Sequence, residues 1–134
     1  MKKLHNILLI LIGTTFIFGC ASIQEAESLY NKGDKQAALN MAISLLDKDD
    51  PGVRLRAVRL IGKVGGEKAG SALRMRIRDD DSKVQKEVIK NLGNIQYEPA
   101  MEDLVDLVAE SDDGLARVIG GAFANYGETG IDML

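Results

Sequence analysis

Few residues in this chain are equipped to make or break bonds. Its 134 residues include one cysteine, Cys20, and one histidine, His5. Nucleophile–base catalysis needs a Ser, Cys or Thr beside a base, and zinc sites draw mainly on His and Cys. The glycine-rich stretch "GKVGGEKAG" (Gly62 to Gly70) suggests a phosphate loop but lacks the Gly-x4-Gly-Lys-Ser/Thr spacing, and no strand leads into it. The run Asp79 to Asp81 lacks the spaced oxygen ligands and terminal Glu of a calcium loop. Both fit turns between helices better. The expectation is no catalytic residue, no metal ligand, no cofactor and no enzyme activity.

Cys20 is the exception, through its surroundings. "MKKLHNILLILIGTTFIFGC" places Lys2 and Lys3 before an apolar run from Ile7 to Phe18, with the small Gly19 just before the cysteine. That is the layout of an export signal. The apolar run is about twelve residues, short of the roughly twenty that a spanning helix needs. A disulfide needs two cysteines, so a lone thiol in an exported chain calls for another role. "IFGC" (Ile17 to Cys20) resembles the lipobox of bacterial lipoproteins, with Ile17 and Gly19 at the matching positions and a bulkier Phe18 between them. The resemblance implies that residues 1–19 are removed and that Cys20 is lipidated as the new N-terminus. It also implies attachment to the cell membrane. Ala21 after the cysteine resembles the outer-membrane, periplasm-facing class if the envelope is Gram-negative. Losing Lys2, Lys3 and His5 leaves no histidine and moves the formal net charge from −3 to −5.

The chain beyond Cys20 is repetitive, and repeats decide architecture. A shift of 31 residues aligns Asp50 with Asp81 and Asp112, and Val53 with Val84 and Leu115. It aligns Ala57 with Val88 and Ile119, Ile61 with Leu92 and Phe123, and Val64 with Ile95 and Tyr126. Steps of four, four and three make one apolar stripe down a helix. The aspartates are N-caps, and Pro51 sits where its missing N–H costs nothing. Between these stripes Ala38, Ala42 and Leu46 align with Ala69, Leu73 and Ile77, then with Ala100, Leu104 and Val108. Each unit is therefore two helices of about twelve residues, with turns at Gly33-Asp34, Gly65-Gly66, Glu98-Pro99 and Gly127. Tyr30, Phe123, Tyr126, Met75 and Met101 are expected in or near the core. Gly120-Gly121 within the seventh helix either admits a close neighbour or marks a decayed terminal repeat.

"DPGVRLRAVRLIGKVG" (Asp50 to Gly65) resembles the HEAT-repeat family, in particular the short variant of phycobilisome-lyase-like repeats. The second copy keeps Val84, Leu92, Gly93 and Ile95 but has Gln85 in place of the arginine. "AESLYNKGDKQAALNMAISLL" (Ala26 to Leu46) also resembles a tetratricopeptide-type hairpin, which builds the same helical pair. The fold implied is all-α. It is a right-handed α-solenoid over 20–134, of about three to four helical-hairpin repeats near 22–48, 50–79, 81–110 and 112–134, the last incomplete. Stacked pairs bury one continuous core that no single pair can close, and their exposed faces serve as binding surfaces.

Charge divides along the chain. Pro51 to Arg78 carries eight basic residues against Glu67, a net of +7, while Glu98 to Leu134 has nine acids against Arg117, a net of −8. Such a split points to directed electrostatics. Arg56, Arg59, Lys63, Arg74 and Arg78 are the candidate contact residues. Three uses stand beside an ordinary solvated face in which Arg54 bonds neighbouring turns. The basic helices meet anionic head groups next to the lipid anchor, or the acidic half of a second copy head to tail, or an acidic protein partner in the cell envelope. Nucleic acid is disfavoured by the scarcity of aromatics near the basic residues. The reading is a lipid-anchored scaffold or protein-binding module, or, by the lyase-like resemblance, an accessory subunit or chaperone of an envelope enzyme.

Overall fold

The computed structural model describes residues 22–131, so Cys20 and the segment before it lie outside the described residues. The helices are α1 (Ile23–Asn31), α2 (Lys35–Ser44), α3 (Pro51–Val64), α4 (Gly66–Arg74), α5 (Ser82–Asn94), α6 (Met101–Val108), α7 (Asp113–Asn125) and α8 (Glu128–Ile131). A 3-10 turn, Glu98–Ala100, leads into α6. No strand occurs among the described residues, and none of their helices is long and apolar enough to cross a membrane. The chain is an α-solenoid.

The repeated aspartates start the long helices. Asp50 Oδ1 accepts from Gly52 N (2.8 Å), Asp81 Oδ1 from Lys83 N and Val84 N (2.9 and 3.0 Å), and Asp112 Oδ1 from Leu115 N (2.7 Å). Each satisfies first-turn N–H groups that have no partner within the helix. The stripes behind them close the core: Ala57, Ile61, Val88, Leu92, Ile119 and Phe123 are fully buried. Ala38, Ala42, Ala69, Leu73, Ala100 and Leu104 are buried equally from the other layer.

The two layers differ in length. Helices α3, α5 and α7 have 14, 13 and 13 residues, while α2, α4 and α6 have 10, 9 and 8 rather than about twelve. The even helices tighten at their ends into three-residue turns, as in Leu45 N to Ala42 O (3.1 Å) and Arg76 N to Leu73 O (2.8 Å). The odd helices pack closely, α5 resting on both α3 and α7. Small residues permit it: a Cβ on Gly93 would lie 2.7 Å from Ala122 Cα, and one on Gly62, 31 positions earlier, would overlap Asn91 Oδ1. Past each odd helix the backbone turns left-handed, at Gly65 (φ 70°), Gln96 (φ 52°) and Gly127 (φ 70°), again at the repeat spacing.

One packing expectation is corrected, and one of two alternatives is removed. Met101 is buried, but Met75 is 84% exposed, the one large apolar side chain so exposed among the described residues. The 31-residue shift puts Met75 in register with Ser44 and Asp106, an outward position in every copy. Gly120 and Gly121 are not sites of close approach within the chain, since a Cβ on either would meet nothing within 4 Å. Phe123 and Tyr126 are core residues as expected, and Tyr30 packs against the core while partly exposed.

Candidate interaction groove

The arginines of the basic block tie turns and neighbouring repeats together. Arg54 is 6% exposed and uses all five guanidinium N–H groups. Nε and Nη2 donate to Asp79 (3.0 and 2.8 Å), Nη2 also to Asp80 (2.5 Å), and Nη1 to the carbonyls of Lys48 and Asp49 (2.9 and 3.0 Å). Burial pushes the Asp79 carboxyl up. The Arg54 hydrogen bonds, the Asp81 N–H and the Arg54 charge outweigh it and hold that carboxyl below its usual range. In the next copy Gln85 makes one bond of this kind, to Ile77 O (3.0 Å).

Four more arginines pair across repeats. Arg56 meets Glu27 bidentately (2.6 and 3.1 Å), Arg76 meets Asp47, Arg74 meets Asp103, and Arg78 meets Glu110 (2.5 Å). The acidic segment after Glu98 thus supplies partners for two of the candidate contact residues, Arg74 and Arg78. Those two lie with Met75 and Tyr97 around a shallow depression on the even-helix side.

The other three candidates lie on the odd-helix side. Arg56, Arg59 and Lys63 line a hollow between α1 and α3 with Glu27 and Tyr30. Arg59 also borders a larger depression of about 580 Å³ that runs across α3, α5 and α7. One hollow bounded by three successive helices of a layer means that this face curves inward. Leu55, Val118 and Ala122 give it an apolar floor, and Arg59, Lys83, Lys86 and Lys90 surround it with a single acid, Glu87. Glu87 is shared by Arg59 (3.5 Å) and Asn91 Nδ2 (3.3 Å).

The balance of the two sides differs. Lys63, Lys83, Lys86 and Lys90 form no ion pair among the described residues, whereas Arg74, Arg76 and Arg78 all do. Lys32, Lys35, Lys68 and Arg117 also form no ion pair among the described residues, so unpaired cations occur on both sides; three of them, Lys83, Lys86 and Lys90, stand together around this hollow. Lys83, Lys86 and Lys90 escaped the linear charge count, which stopped at Arg78. Their spacing of three and four, flanking the Val84–Val88–Leu92 stripe, is the signal that places them on one helix face.

Among the described residues no three of His, Cys, Asp and Glu converge to hold a metal ion. The arrangement suits recognition by charge and apolar contact.

The sequence profile of HEAT repeats matches residues 26–84 and again 39–120. A solved engineered protein from the Northeast Structural Genomics Consortium superposes with a TM-score of 0.52 at 20% identity, covering 83% of this chain and 53% of that one. At that identity the likeness concerns the fold alone, and this chain spans about half the length of that structure. A comparison with curated proteins found no match.

Proposed function

We infer that this chain, which belongs to the HEAT-repeat family, is a non-enzymatic protein–protein interaction module held at a bacterial cell envelope by lipid on Cys20. HEAT repeats generally mediate protein contacts, and the observation that carries the reading here is the division of its cations. Arg54, Arg56, Arg74, Arg76 and Arg78 are consumed in tying turns and repeats together, while Lys83, Lys86 and Lys90, gathered around an apolar hollow, are left for another molecule. An extended helical stack offers such a face without any residue committed to chemistry.

Support for the anchor comes from the sequence before the fold: a basic start, a short apolar run and "IFGC". Helix α1 is capped by Ser22, whose Oγ accepts from Glu25 N (3.2 Å), so the solenoid would begin two residues after the lipidated cysteine. With so little linker, the module would stand against the membrane carrying the lipid. Outer-membrane placement follows from Ala21 only if the envelope is Gram-negative.

Two readouts test this. The intact mass of the chain from the membrane fraction should equal Cys20 to Leu134 plus a diacylglyceryl group and an acyl chain. Chemical cross-linking in intact cells should join it to a defined envelope protein. A soluble chain without lipid would remove the anchor, and absence of any cross-linked protein would remove the interaction role.

A further inference from the structure

We propose that the depression across α3, α5 and α7 receives a segment of the partner protein in which carboxylates flank an apolar side chain. This rests on the interaction-module reading and specifies the chemistry of what that module holds.

The floor and the rim ask for different groups. Leu55, Val118 and Ala122 present carbon, and beside them Gly121 leaves a recess, since a Cβ there would meet nothing within 4 Å. Gly121 stands in register with Arg59 and Lys90, so the column of long cationic side chains on α3 and α5 ends in open space on α7. An apolar side chain fills that recess. Around it Arg59, Lys83, Lys86 and Lys90 outnumber Glu87, so carboxylates on neighbouring residues complete the complementarity. About 580 Å³ falls within the range of pockets that bury most of a small ligand or a short peptide stretch.

Other occupants fit less well. A flat bilayer reaches the lysine rim but not the recessed floor. Single-stranded nucleic acid wants aromatic stacking platforms, and the lining has no aromatic residue. A second copy has fewer acids to offer than its composition suggests, because Asp103 and Glu110 already pair with Arg74 and Arg78, and Asp112 caps α7.

The test uses the full chain, in detergent micelles, to pan a random peptide library displayed on phage, followed by anisotropy titration of the enriched peptides. Enriched sequences should carry Asp or Glu beside Leu, Ile, Met or Phe. Lys86→Glu with Lys90→Glu should weaken their binding about tenfold or more, the size of a lost charge contact. Gly121→Leu should weaken it comparably without a charge change, and as a helix-favouring substitution at an open site it should leave folding intact. Lys32→Glu with Lys35→Glu, on exposed positions at the α1–α2 turn, should change nothing. Enrichment without acids, no enrichment, or indifference to the groove substitutions would overturn the proposal. So would loss of phosphatidylglycerol-vesicle binding, or of a sedimenting dimer, in the groove variants alone, since either assigns the face to another occupant. If groove variants still cross-link to the partner in cells, the interaction module stands and the groove is removed from it.

Discussion

Arg54 Nη2 lies 2.8 Å from Asp79 Oδ1, joining α3 to the turn that follows α4 at a point where both residues are under a tenth exposed. The pair clips one repeat to its own return turn, and its other donors tie in the turn before α3. Taking away Asp79 leaves a nearly closed guanidinium with two donors unmet and only the exposed Asp80 carboxylate beside it, which is costly. Asp79→Ala should therefore destabilise the fold by about 3 kcal/mol, measured by urea unfolding. Gln85→Ala, which removes a single neutral bond in the next copy, should cost only about 1 kcal/mol.

The same carboxylate sets an acid limit. Asp79 is held below its usual range in the folded chain, so the unfolded chain binds its proton more readily. Its contribution is present above the unfolded value, near 4, and is lost as pH falls through the folded value. Stability measured from pH 6 downward should fall, and Asp79→Asn should start lower and flatten that slope.

Tyr126 sets the alkaline counterpart. Its hydroxyl lies 3.1 Å from Leu92 O and 3.0 Å from Tyr97 O and shares one proton between them. Burial first, then the charge of Glu98, pushes it up to about 12. The folded chain holds this proton longer than the unfolded one, so the contribution is full below about pH 10 and fades as pH rises toward 12. An ultraviolet titration should show a tyrosine step near 12, and Tyr126→Phe should delete it while costing about 1 kcal/mol.

Glycines in the long helices should respond with opposite signs. Gly93→Ala drives a methyl into the backbone of Ala122 and should lose about 1–3 kcal/mol. Gly120→Ala enters open space within a helix and should gain about 0.5–1 kcal/mol. Paired thermal melts check both.

Periodicity made the architecture readable from the residues alone. Asp50, Asp81 and Asp112 recur at one spacing because each must cap an equivalent helix, and Ala57, Val88 and Ile119 recur because each meets the same core. Met75 was misplaced by its residue type. Its register with Ser44 and Asp106 outweighs that type, because the stack turns this position outward in every copy. The ionic map was less accessible. Arg56–Glu27 and Arg74–Asp103 join residues 29 apart, a separation fixed by how repeats stack and not by the helix period. Counting charge along the chain therefore grouped arginines that face different sides and left out Lys83, Lys86 and Lys90, which share a face with Arg59.

What remains to be seen in cells is whether the inward-curving face holds a protein at the envelope. A photo-cross-linking amino acid placed at Lys90, in full-length chain expressed in its native cells, tests it most directly. One discrete protein adduct is expected in the membrane fraction, and none from the same probe at Met75 on the even-helix side. Adducts from Met75 but not from Lys90, or none from either, would contradict it.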